Sequence, residues 1–85
     1  MNSLVALDRL TEAQGVELAY RESARKAVAR YNTAAGHNPH SAAAEQAWTL
    51  RKEALGQWRK ARQDLAAAQE HHRRALIMRR AYARR

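Results

Sequence analysis

The chain has 85 residues with sixteen Lys and Arg against eight Asp and Glu, a net charge of +8, and no cysteine. A length of this order makes one small domain, whose core needs long helices or a partner to reach adequate burial. Disulfide frameworks and thiolate metal sites are excluded, and a strongly basic balance points to an anionic partner.

The opening MNSLVALDRL holds four consecutive apolar residues before Asp8. That is too few for a signal-peptide core or a membrane span, so a cytoplasmic protein without membrane contact is expected. The Ala- and Arg-heavy composition fits a bacterial or phage origin.

A first helix is predicted over about residues 3–35, where Ala, Leu, Arg, Gln and Glu dominate and all favour helix. Ala6, Ala13, Tyr20, Ala27 and Ala34 recur every seven residues, with Leu10, Glu17, Ala24 and Tyr31 interleaved. The stretch AAGHNPHS, residues 34–41, is the break in the chain. Gly36 suits the left-handed end of a helix, and Asn38-Pro39 reads as an N-cap followed by proline at the first helical position. The turn is therefore expected at 36–38, and a second helix over about residues 39–83.

Ala47, Ala54, Ala61, Ala68 and Ala75 repeat the heptad in the second helix, interleaved with Ala44, Arg51, Trp58, Leu65, His72 and Arg79. Alternating spacings of three and four on both helices specify left-handed coiled-coil packing, and a short turn forces the helices antiparallel. The expected fold is all-α: a single Ala-rich two-helix hairpin. It resembles other Ala-rich antiparallel hairpins in architecture, which carries no function. A turn centred near residue 37 sets Ala27 against Trp48, Ala13 against Ala61 and Leu10 against Leu65. Glu17 then lies near Trp58, within reach of Arg51 or Arg62. Residues 71–85 overhang the hairpin by roughly 22 Å.

Leu4, Leu7 and Leu18 occupy a sector away from the alanine seam, with Trp48 and Leu55 beside the seam of the second helix. So small a hairpin leaves these wet, and small scaffolds commonly add oligomerisation. A homodimer forming a four-helix bundle is expected. Gly15 and Gly56 fall within helices, either at close helix approaches or as tolerated surface residues.

No motif carries catalysis. The sequence has no phosphate-cradling glycine loop and no Ser/His/Asp set that one pocket could hold. A two-helix hairpin also lacks the concavity of an active site, so neither an enzyme nor a small-molecule substrate is expected. His37 with His40, and adjacent His71 with His72, make poor metal sets, so no metal or cofactor is expected.

The basic surface is the strongest signal. Residues 71–85 contain six arginines and no acid. Arg59, Arg62, Arg73, Arg80 and Arg84 fall within about 60° of one another on one side of the second helix. With Arg74, Arg79 and Arg85 they form a set of permanently charged forks suited to phosphate. The expected function is non-enzymatic binding of nucleic acid or another polyanion. The alternative is docking on an acidic protein surface, as in a small phage- or plasmid-encoded inhibitor or a virion or secretion-machine component. Leu76, Ile77, Met78 and Tyr82 would serve there as anchors, together with Leu4, Leu7, Leu18, Trp48 and Leu55. A third possibility is a purely structural assembly unit.

Overall fold

Residues 3–83 are described by the computed structural model, which holds two helices and no strand among those residues: α1 (Ser3–His37) and α2 (Ala42–Ala83). They pack antiparallel into a rod with extents of 67 × 14 × 13 Å. The 42 residues of α2 span about 63 Å at 1.5 Å each, so this helix sets the length of the rod.

The heptad pattern explains the packing. The buried apolar residues are Ala6 and Ala24 of α1 with Ala44, Ala54, Ala61 and Ala75 of α2, and Glu17 is buried among them. Every one belongs to the seam expected from the sequence. Leu10, Tyr31, Trp58 and Leu65 fill the intervening layers half-buried. Two seam residues, Tyr20 and Arg79, are exposed. Each buried alanine methyl contributes little, since burial is worth about 0.8 kcal/mol per methylene-sized group. The seam gives close approach and register more than it gives stability.

The turn differs from expectation. Gly36 remains helical, with no glycine at positive φ among the described residues. Asn38 to Ser41 form a β-turn closed by the Ser41 amide donating to the Asn38 carbonyl at 3.2 Å. Pro39 sits at its second position, where a fixed φ near −65° favours the reversal without any left-handed residue. The Asn38 side chain accepts from the His40 amide at 3.0 Å. The cap of α2 is Ser41, not Asn38. Its Oγ accepts the Ala44 amide at 3.1 Å, and its carbonyl accepts the Glu45 amide at 3.1 Å. Hence α2 begins at Ala42, three residues later than the proline position implied.

That delay moves the register near the turn. Tyr31, rather than Ala27, meets Trp48, with ring centroids 5.1 Å apart. The basic overhang is shorter than expected. His72 is half-buried and Ala75 is only 8% exposed, so helix packing continues to that point. Residues 76–83 extend beyond it by about 12 Å.

A Cβ built on Gly15 or Gly56 meets nothing within 4 Å, so neither glycine marks a close approach. Both carry the helix cost of glycine without a packing return. Gly15→Ala and Gly56→Ala should each stabilise the fold by about 0.5–1 kcal/mol, read as a higher urea midpoint at unchanged slope. A loss of stability in either variant would contradict this placement.

Candidate anion-binding flank

The two helices leave grooves on opposite sides of the seam. One side carries a cleft of about 270 Å³ lined by Arg21, Ala24, Arg25, Val28, Leu55 and Trp58. The other carries a groove of about 390 Å³ whose lining includes Lys26, Arg30, Gln46, Leu50, Glu53 and Gln57. It continues past Gln57 into a space of about 320 Å³ at Val16, Tyr20, Lys60 and Asp64. Helical spacing puts Arg59, Arg62, Arg73 and Arg80 of α2 on the cleft side.

Aromatic rings support the arginines nearest the turn. The Arg62 guanidinium carbon lies 4.3 Å from the centroid of Trp58. Arg51 lies 4.9 Å from Trp48 and 5.8 Å from Tyr31. Such contacts attract a cation to the ring face while its outer donors remain available. Arg51, expected in the seam, is half-buried, with Trp48 three residues before it on α2 and Tyr31 reaching it from α1.

Glu17 is the charged centre of the hairpin. At 5% exposure it is the most buried ionisable group among the described residues. Trp58 Nε1 donates to its Oε1 at 3.1 Å across the interface. Arg21 donates Nε to Oε1 at 3.0 Å and Nη2 to Oε2 at 2.6 Å from one turn along α1. Both expected neighbours, Trp58 and Arg62, are nearby, but the direct ion pair is with Arg21. The Arg21 hydrogen bonds first, then Trp58, hold the Glu17 carboxyl below its ordinary pKa of 4.5, with Arg62 adding a weaker pull.

Toward the far end, Glu70 modifies the arginine ridge. Arg73 donates Nε to Glu70 Oε2 at 3.1 Å and Nη2 to Oε1 at 2.9 Å, while Arg74 Nε reaches Oε1 at 3.0 Å. Spacings of three and four residues bring this acid onto the ridge, as expected of helix ion pairs. Arg73 and Arg74 stay well exposed. Arg79 and Arg80 are exposed as well, while Arg84 and Arg85 lie outside the described residues. Arg21 and Arg25 of α1 border the same cleft, a contribution that reading helix 2 alone missed. Arg21 is committed to Glu17, and Arg25 approaches Glu22 at 3.5 Å.

The apolar candidates divide into three groups. Leu55 is half-buried against the cleft floor and is not part of a separate face. Leu4, Leu7, Leu18 and Trp48 are exposed, with Trp48 packing one side against Tyr31. Leu76, Ile77, Met78 and Tyr82 are exposed around the far end of α2. Among the described residues no three His, Asp or Glu side chains converge as a metal set, and no helix is long and apolar enough to cross a membrane. Comparison with known protein families, with curated proteins and with solved structures finds no match.

A depressed folded-state pKa means that Glu17 stabilises the hairpin above about pH 4.5 and loses that contribution as pH falls through the folded value. Glu70, lowered by Arg73, acts in the same direction from the exposed surface. The thermal midpoint should therefore fall on acidification below about pH 4.5. Glu17→Gln should lower the midpoint at neutral pH and flatten much of the acid decline. An unchanged pH profile in this variant would show that the carboxylate does not support the hairpin.

Proposed function

We propose that this chain is a non-enzymatic binding protein that grips a polyanion, nucleic acid foremost, through the arginine flank and C-terminal segment of α2. It acts in the cytoplasm of a bacterial or phage-infected cell, as a dimer whose hairpins form a four-helix bundle. The observation that carries this reading is the charge balance at the end of the chain. Residues 71–85 hold six arginines and no acid, and Glu70 serves both Arg73 and Arg74. One carboxylate cannot neutralise so many guanidinium groups, and phosphate supplies the missing acceptors in bidentate geometry.

Such a grip reads backbone charge and carries little sequence information. Rings that seat Arg51 and Arg62 limit the conformational freedom these side chains lose on binding. A second reading is docking on an acidic protein. It rests on Leu76, Ile77, Met78 and Tyr82, between 38% and 73% exposed, interspersed with the same arginines.

The reading is tested by titrating the full chain into labelled duplex DNA and structured RNA, beside a variant with Arg73, Arg74, Arg79 and Arg80 changed to Gln. Substitution is preferable to removing residues 71–85, because His72 and Ala75 belong to the seam. With about four phosphates neutralised, binding should weaken roughly hundredfold between 50 and 200 mM salt. The variant should lose most of that affinity and most of the salt dependence. Equal binding by the two proteins, or affinity indifferent to salt, would reject the phosphate grip.

A further inference from the structure

We infer that the four-helix bundle is built through the mixed-charge groove, the side opposite the arginine cleft, with a second copy placing Lys26 against Glu53 of its partner. This deepens the dimer reading above and is independent of what the arginines bind.

Surface area gives the first reason. The chain exposes 6753 Å² at 9.7 kDa, whereas a folded monomer of that mass is expected to expose about 5,100 Å². The excess, about 1,600 Å², is twice the roughly 800 Å² that each partner of a standard interface buries. Part of that excess is what any rod of 67 × 14 × 13 Å exposes beyond a compact globule, and it leaves ample area for an interface of standard size.

Self-complementarity chooses the side. A twofold contact presents one surface to itself, so its charges must match under that operation. On the cleft side two copies would bring together Arg21, Arg25, Arg59 and Arg62 of each, and no acid lines that cleft. Leu18 and the half-exposed Trp48 cannot offset that concentration of like charge, since like charges across an interface cost several kcal/mol. The opposite groove is mixed in charge: Lys26, Arg30 and Lys60 stand with Glu53 and Asp64. Its floor contains Ala27, Ala43, Ala47 and Ala54, small enough for another helix to approach closely. Val16, Tyr20 and Leu50, each about two-fifths exposed or more, supply its apolar area.

The hairpin's own register then narrows the pairing. Tyr31 meets Trp48 near the turn, and Glu17 meets Trp58 further along. Counting from these two contacts places Lys26 within about one helical turn of Glu53, a span that long side chains cover, and both line the groove. A twofold axis running along the groove lays α1 of one copy over α2 of the other at unchanged height. Each Lys26 then meets the partner's Glu53, twice per dimer. The same operation sets both turns at one end and both arginine segments at the other, with the arginine flanks facing outward. The second copy thus doubles the charge presented to a polyanion and leaves the flank uncovered.

Charge exchange tests this arrangement. Sedimentation equilibrium without nucleic acid should show a dimer for the full chain. Lys26→Glu and Glu53→Lys should each weaken it at least about tenfold, because each variant creates two like-charge contacts. Mixing the two variants should restore dimerisation, because the heterodimer regains two opposite-charge contacts. Circular dichroism on each variant separates loss of pairing from loss of helix. For any variant that loses helix, carbodiimide treatment of mixed isotopically light and heavy wild-type chains decides the matter, with a Lys26–Glu53 amide between chains expected. A monomeric wild type overturns the dimer. A dimer indifferent to both substitutions overturns the choice of face, and failure to recover on mixing, or absence of the inter-chain amide, overturns the pairing. Salt-dependent binding of labelled DNA by a wild type found to be monomeric would leave the polyanion reading standing.

Discussion

The two helices meet through alanine methyl groups, and the charged group buried between them is Glu17, held by Trp58 from the facing helix. Alanine at the seam permits close approach but forgoes the apolar area that leucine or isoleucine would remove from water. The remaining features follow from that choice. Larger side chains are displaced to the flanks, where Trp48 and Trp58 become seats for arginines and Leu50, Val16 and Tyr20 line an open groove. The Glu17–Trp58 hydrogen bond also distinguishes one register from its neighbours, since sliding by a heptad would still pair the seam alanines with alanines. Glu17 loses its Trp58 hydrogen bond in any slipped register and keeps only those from Arg21 of its own helix, leaving the indole N–H to find another acceptor.

The seam was legible in the sequence because its signal is long and redundant. Heptad spacing over two helices names Ala6, Ala24, Ala44, Ala54, Ala61 and Ala75 with little room for error, and each of these is buried. Level counting also brought Glu17 to Trp58. The turn was read less well because it depends on a few residues with competing roles. Asn38-Pro39 can open a helix or a β-turn, and the choice falls to Ser41, whose hydroxyl caps α2 at the third amide. That small displacement moved Trp48 onto Tyr31. Spacings of three and four residues already named Glu70 with Arg73 or Arg74 as helix ion pairs, whereas projection of a single helix could not show that Arg21 and Arg25 join the flank of α2.

The rod carries two sides of different character. One concentrates arginines around an aromatic-floored cleft, and the other alternates acids and bases above a shallow alanine floor. Under the proposed reading, the second side would assemble copies and the first would meet an anionic partner, with no residue asked to do both. The exposed apolar residues at the far end of α2 stand outside this division, and they give the acidic-protein reading its footing.

Central to this account is the claim that the alanine-seamed hairpin is not self-sufficient. Thermal unfolding followed by circular dichroism over about a hundredfold range of protein concentration tests it directly, because a fold completed by a second copy has a concentration-dependent midpoint. The midpoint should rise steadily with concentration, and helix should be lost in step with dissociation at the dilute end. A midpoint constant across the range, with full helicity in the most dilute sample, would mean that the seam and the Glu17–Trp58 contact suffice alone.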